Sequence, residues 1–162
     1  MTQSSQSTIF DLELIREVDL TPQQIFDGWT NAETLPHWFC PKPWRVVECE
    51  IELRPGGIFA TTMQGPDGIS MPRGEGCWLM IEPPRRLVWT NMMGPDFRPK
   101  YNATPGFDFV CDLQFDPLPS GKTRYHARVM HTDALGKTQH EAMGFELGWS
   151  TALDQLIALK RG

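Results

Sequence analysis

Glu48-Cys49-Glu50-Ile51-Glu52-Leu53-Arg54-Pro55-Gly56-Gly57-Ile58-Phe59-Ala60-Thr61-Thr62-Met63 decides the fold, because runs of period two flank a paired glycine. Side chains alternate across a strand, so Val47, Cys49, Ile51 and Leu53 are predicted on one face and Glu48, Glu50 and Glu52 on the other. A paired glycine can cradle a phosphate or let the backbone reverse. A phosphate cradle is followed by a helix whose N-terminus faces the anion, usually through a Lys-Ser/Thr pair. Here another β-rich run follows, from Phe59 to Met63. Pro55-Gly56 suits the centre of a type II turn, where glycine takes the positive φ. Gly57 leaves the returning strand room to bend or bulge. The stretch is therefore a hairpin, and a nucleotide site is excluded here.

Upstream of the hairpin, Phe10, Leu12 and Leu14 alternate with Asp11 and Glu13 before Ile15 and Val18, which predicts a first strand over 9–20. Thr21 and Pro22 form an N-cap and first helical position, and Ile25, Phe26 and Trp29 follow at helical spacing. Asn31 can cap a second short helix carrying Leu35 and Trp38 inward, stopped by Pro41 and Pro43. Beyond the hairpin, Gly65-Pro66-Asp67-Gly68 turns the chain again. Strands follow before Pro83-Pro84 and after it, then over Phe107–Phe115 and Thr123–His131. Residues 94–106 form a long Pro- and Gly-rich loop. Gly136 to Arg161 reads as one long helix, with Phe145, Trp149, Leu153 and Leu156 on a single apolar face. An antiparallel sheet with one apolar face must cover it, and the terminal helix is the only element long enough.

The chain has 162 residues, so a single domain spanning 1–162 is expected, with the polar residues 1–7 flexible. Hydrophobic residues make up 40% and charged residues 22%, as in ordinary globular proteins. Net charge is −5, from 15 basic and 20 acidic residues, and no basic stripe appears; this argues against a nucleic-acid partner. Cysteines at 40, 49, 77 and 111 lack the paired spacing of a zinc site and suit a reducing cytoplasm, so a cytoplasmic location is expected. No stretch is apolar and long enough for membrane insertion, and the first residues lack a signal core.

Several residues within this order carry a family resemblance. They are Trp38-Phe39 with Pro41, Glu52-Leu53-Arg54-Pro55-Gly56-Gly57, Glu82-Pro83-Pro84 with Arg86-Leu87, and Gly144-Phe145 with Gly148-Trp149. With them the chain resembles the START-like (SRPBCC) superfamily, and within it the activator of heat-shock-protein-90 ATPase homologue family. The resemblance covers nearly the whole chain after the polar N-terminus. It implies an α+β helix-grip fold: a curved antiparallel sheet of about six to seven strands around a long C-terminal helix, with two short helices after strand 1. It also implies an apolar cavity between sheet and helix, in a superfamily ranging from lipid carriers to aromatic polyketide cyclases. Cys40 stands where family members often have Gly, and the 94–106 loop is longer than usual, a candidate lid. Eukaryotic ATPase activators carry a separate N-terminal domain not found in this sequence, which turns the expectation away from a chaperone role.

Six Trp, nine Phe and eight Met exceed what a solid core needs, and Met-rich linings suit loosely specified apolar ligands. A small ligand needs a cavity of roughly 300–1,000 Å³. The predicted lining is Trp29, Trp38, Phe39, Phe59, Met63, Trp78, Met80, Trp89, Phe145 and Trp149. For acid/base chemistry the candidates are fewer. Glu48, Glu50 and Glu52 fall on the solvated face; His126 and His131 point to opposite faces of one strand; His131 with Asp133 reads as an exposed strand-end pair; His37 and His140 stand alone near helix ends. Arg73, Arg98 and Tyr101 are candidates for a polar ligand head, and Cys40 reads as a packed thiol. Three functions remain open: binding of a small apolar or aromatic molecule, cyclase- or dehydratase-like catalysis in the same cavity, and interaction with a chaperone or other protein. No cofactor or metal is expected, no catalytic residue is assigned, and homodimerisation is left open.

Overall fold

Strand β1, Asp11–Val18, turns Leu12, Leu14 and Val18 inward while Ile15 faces solvent. The computed structural model describes residues 10–102 and 108–161; the expected flexible residues 1–7 and the 103–106 part of the candidate lid lie outside them. Helix α1, Pro22–Thr30, begins at a capping box in which Thr21 Oγ1 accepts from the Gln24 amide and Gln24 Oε1 accepts from the Thr21 amide. Asn31 Oδ1 accepts from the amides of Glu33 and Thr34, as a cap should. The second short helix is reduced to a single 3₁₀ turn over Leu35–His37, but it buries Leu35 and Trp38 as predicted.

Strands β2, Arg45–Ile51, and β3, Ile58–Gln64, form the predicted hairpin. Its reversal is the expected turn: the Gly57 amide donates to the Arg54 carbonyl at 2.8 Å, with Gly56 at φ 80°. Gly57 has a different reason to be glycine, since a Cβ there would lie 1.9 Å from the Glu52 carbonyl oxygen. The face assignment of β2 needs one correction. Val46 pairs with Met63 but Glu48 pairs with Thr62, so Val47 is the extra residue of a β-bulge and faces solvent. Val46, not Val47, shares the inner face with Cys49 and Ile51. Leu53 lies beyond the strand and is exposed.

Strands β4, Gly74–Glu82, and β5, Arg86–Thr90, flank the predicted Pro83-Pro84 break. A small ribbon of β6, Met93–Gly94, and β7, Arg98–Pro99, occupies the first part of the long loop. Its turn residues Asp96 and Phe97 both take positive φ, 61° and 64°. Phe97 lies against Gly56, where a Cβ would come within 2.9 Å of its ring, and Asp96 pairs with Arg54 at 3.2 Å. Strands β8, Phe109–Pro117, and β9, Thr123–His131, complete one antiparallel sheet of seven strands, ordered β1-β9-β8-β5-β4-β3-β2.

The C-terminal segment is two helices rather than the one expected. Helix α2, Ala134–Ala142, is capped by Asp133, whose Oδ1 accepts from the Gly136 amide at 2.8 Å. It ends at Met143, and Gly144 takes φ 92°, a left-handed position that favours glycine and turns the chain. Helix α3, Phe145–Arg161, then packs Phe145, Leu153 and Leu156 against the inner face of the sheet. No described helix is long and apolar enough to cross a membrane.

Candidate functional site

The inner face of the sheet meets α1, the 35–40 turn and α3 in one cluster of rings. Phe59 lies at its centre, with ring centroids 4.7 Å from Trp78 and 4.8 Å from Trp89. Trp29 from α1 stands edge-on to Trp38 at 5.1 Å and to Phe39 at 5.6 Å, and Phe39 meets Phe59 at 5.9 Å. On the far side Trp89 touches Phe109 at 5.5 Å, and Phe109 reaches Trp149, which packs at 5.0 Å on Phe145. These separations are those of favourable edge and tilted contacts. These rings line the space between sheet and helix.

Nine of the ten residues in the predicted set face this interior. Trp29, Trp38, Phe59, Trp78, Trp89 and Phe145 are buried; Phe39 and Trp149 are half-buried and pack against the core; Met63, half-buried, pairs with inward Val46. Met80 is the exception, 37% exposed on the outer face. A second bulge explains it. Trp78 pairs with Trp89 but Met80 pairs with Val88, so the extra residue reverses the alternation and Ile81 turns inward instead.

The indole N–H groups of Trp29, Trp38, Trp78 and Trp89 divide by partner. Trp29 Nε1 donates to Tyr125 Oη at 3.3 Å and Trp38 Nε1 donates to the Gly28 carbonyl at 3.0 Å. Trp78 Nε1 and Trp89 Nε1 are buried without an oxygen or nitrogen acceptor, and Trp89 has only the weakly accepting Cys111 thiol nearby. An unmet buried donor costs about 1–3 kcal/mol. Among the described residues, these two indole nitrogens are the buried side-chain polar atoms left without an oxygen or nitrogen partner.

A feature missed in the sequence adjoins the rings. His131 and His140 are both buried, with His131 Nε2 and His140 Nδ1 2.9 Å apart. His131 Nδ1 lies 3.0 Å from the Phe10 carbonyl, and the His140 ring stacks on Phe109 with centroids 5.4 Å apart. Burial pulls the pKa of His140 down to about 4, with the neighbouring His131 adding to the effect, and burial lowers His131 too. The expected exposed His131–Asp133 pair is thereby corrected: Asp133 caps α2, and His131 turns inward. The sequence signal was available in the period of β9, where Tyr125, Ala127 and Val129 point inward and His131 continues the series. His126 faces outward, its Nε2 2.6 Å from Glu13 Oε2.

The remaining candidates have other partners. Glu48 accepts from Thr62 Oγ1, while Glu50 and Glu75 both pair with Arg73, so the latter is tied to the outer face and not to a ligand. Arg98 and Tyr101 are exposed. Cys40 is buried, and burial pushes its thiol pKa up to about 11, leaving it neutral and poorly nucleophilic near pH 7. Among the described residues, no three His, Cys, Asp or Glu side chains converge as a metal-ligand set.

A family model described as Activator of Hsp90 ATPase homolog 1-like protein matches residues 19–160. Among solved structures, the chain is similar to a crystal structure of a protein from Nitrosomonas europaea, at 37% identity over 94% of this chain and 95% of that one, with a TM-score of 0.87. It also shares its fold with an AHSA1-like protein from Aeromonas hydrophila, at 18% identity over 91% and 90% of the two chains and a TM-score of 0.68. No curated protein matches.

Proposed function

Because the chain belongs to the Activator of Hsp90 ATPase homolog 1-like family, within the helix-grip superfamily, we propose that it binds a small apolar or aromatic molecule between the sheet and α3. The supporting observation is the pair of buried indole donors without an oxygen or nitrogen acceptor, Trp78 Nε1 and Trp89 Nε1, inside the ring cluster. A ligand with an aromatic body and a carbonyl or ether oxygen would stack among the rings and supply the missing acceptor. Entry would pass the half-buried Phe39, Met63 and Trp149 at the margin of the cluster. A second reading, proton-transfer catalysis on the same ligand, is favoured by the His131–His140 pair, which meets the ring cluster at Phe109.

Native mass spectrometry of protein purified from its own cells tests the first reading, followed by indole N–H spectra with 2-acetylnaphthalene as probe. A co-purifying apolar molecule, or downfield shifts confined to the Trp78 and Trp89 indole protons, supports it. With neither, binding at this site is ruled out. Turnover of the co-purifying molecule, lost in His140→Phe, would move the conclusion to catalysis.

A further inference from the structure

We propose a second binding site, independent of the ring cluster, for a planar aromatic carboxylate in the surface cleft between the 36–45 segment and the C-terminal half of α3. The cleft has a volume of about 470 Å³, within the range of small-molecule sites. Its polar side comes from His37, Lys42 and Arg45, and its apolar side from Trp44, Ala158 and Leu159. No carboxylate lines it, in a chain whose net charge is −5.

The cations of the cleft differ from several basic residues of the sheet and its turns. Arg54, Arg73, Arg86 and Arg128 each sit against a carboxylate. Among the described residues, Lys42 and Arg45 form no ion pair. Arg45 instead directs Nε and Nη2 at the neutral Gln64 Oε1, at 3.2 and 2.8 Å. That contact fixes the guanidinium plane and leaves its charge uncompensated, with Nη1 available for a second, charged acceptor. The thiol of Cys40, at the margin of the cleft, is neutral near pH 7 and adds no opposing charge.

Trp44 supplies the aromatic recognition. Its ring lies against Gly65, where a Cβ would come within 3.2 Å of the indole, so one part of the ring is seated on backbone. The indole is nonetheless 39% exposed, which leaves surface for a second ring to stack on. The frame is rigid as well. Gln155 Nε2 donates to the carbonyls of Trp38 and Cys40 at 3.0 and 2.9 Å, while its Oε1 accepts from the Lys42 amide at 3.0 Å. One side chain of α3 thus holds the whole 38–42 segment, so a ligand meets a preorganised charge and a preorganised ring.

Titration with 2-naphthoate, followed by amide and indole shifts, tests the site, with 2-naphthalenemethanol and acetate as controls. Two exposed cations and one stacked ring predict a Kd of about 0.1–1 mM, with the neutral alcohol and acetate each at least about tenfold weaker. Lys42→Gln with Arg45→Gln, and separately Trp44→Ala, each weaken naphthoate at least about tenfold, and all three positions are exposed enough for the variants to fold, as circular dichroism verifies. Affinity also falls at about 1 M salt, where the screening length is about 3 Å. The Trp44 indole and the Lys42 and Arg45 amides shift with naphthoate, and these shifts are lost in the double variant, which separates this site from the ring cluster. The proposal is overturned if naphthoate fails to bind, if the alcohol binds equally well, or if the double variant retains affinity. Shifts confined to the Trp78 and Trp89 indoles, with none at Trp44, would likewise sink it, by placing the ligand in the ring cluster.

Discussion

His131 Nε2 and His140 Nδ1 are 2.9 Å apart, and the Phe10 carbonyl 3.0 Å from His131 Nδ1 fixes which nitrogens carry the protons. A carbonyl only accepts, so His131 Nδ1 is protonated; its neutral Nε2 then accepts, and His140 Nδ1 donates. This arrangement needs His131 to be neutral, which agrees with burial lowering its pKa; the lowered pKa of His140 keeps the second ring neutral near pH 7 as well.

The pair makes stability fall in acid. In the unfolded chain the two histidines take up protons near pH 6.5, whereas folded His140 resists until about pH 4. Stability is therefore full above pH 6.5, declines as pH drops towards 4, and levels off below. Nearby Asp11 and Asp133 favour protonation of His131 and Lys137 opposes it, all smaller effects than burial. Urea unfolding at several pH values should show a loss of roughly 2–3 kcal/mol from His140 across that window. His140→Phe should have a visibly flatter profile; an equal slope would refute the assignment.

Removing an indole nitrogen should have opposite consequences at two positions. Trp78→Phe deletes an unmet donor, which offsets the lost ring volume, so a net change within about 1 kcal/mol is expected. Trp38→Phe loses similar volume and also strands the Gly28 carbonyl. Chemical denaturation should place the Trp38 variant roughly 2 kcal/mol below the Trp78 variant.

Two glycine-to-alanine changes should differ in sign. Gly57→Ala drives a methyl group into the Glu52 carbonyl, 1.9 Å away, and should lose more than about 3 kcal/mol or prevent folding. Gly148→Ala, inside α3 with open space around it, should gain about 0.5–1 kcal/mol. Thermal melts of both variants provide the check.

Gln155→Ala removes three hydrogen bonds to the 38–42 segment at once. A loss of roughly 2–3 kcal/mol is expected, with hydrogen exchange at the Lys42 amide accelerating more than at amides of β8 and β9. Uniform acceleration across the protein would show that Gln155 holds the whole fold and not this segment.

What the sequence made legible was chemistry acting over a few residues. Thr21-Pro22 announces a helix start, Pro55-Gly56-Gly57 a reversal, and the spacing of Phe145, Leu153 and Leu156 an apolar face, because each depends on local backbone preference or fixed periodicity. Val47 and Met80 were misplaced for one shared reason: a bulge adds a residue to one strand only, and a period-two count along that strand cannot register it. The His131–His140 contact depends on the turn at Thr132-Asp133 from β9 into α2, so residues nine apart meet across a strand and a helix. The orphan indole donors and the cleft beside Trp44 depend on which atoms are near which others, a property of the packed chain alone.

The bulge at Val47 also bears on how the molecule keeps to itself in a crowded solution. β2 is the last strand of the sheet, where unpaired amides and carbonyls invite a foreign chain to extend the ladder. An extra residue in mid-strand breaks the even spacing such an intruder would have to match. The same irregularity that displaced one valine therefore guards an open border against edge-to-edge aggregation.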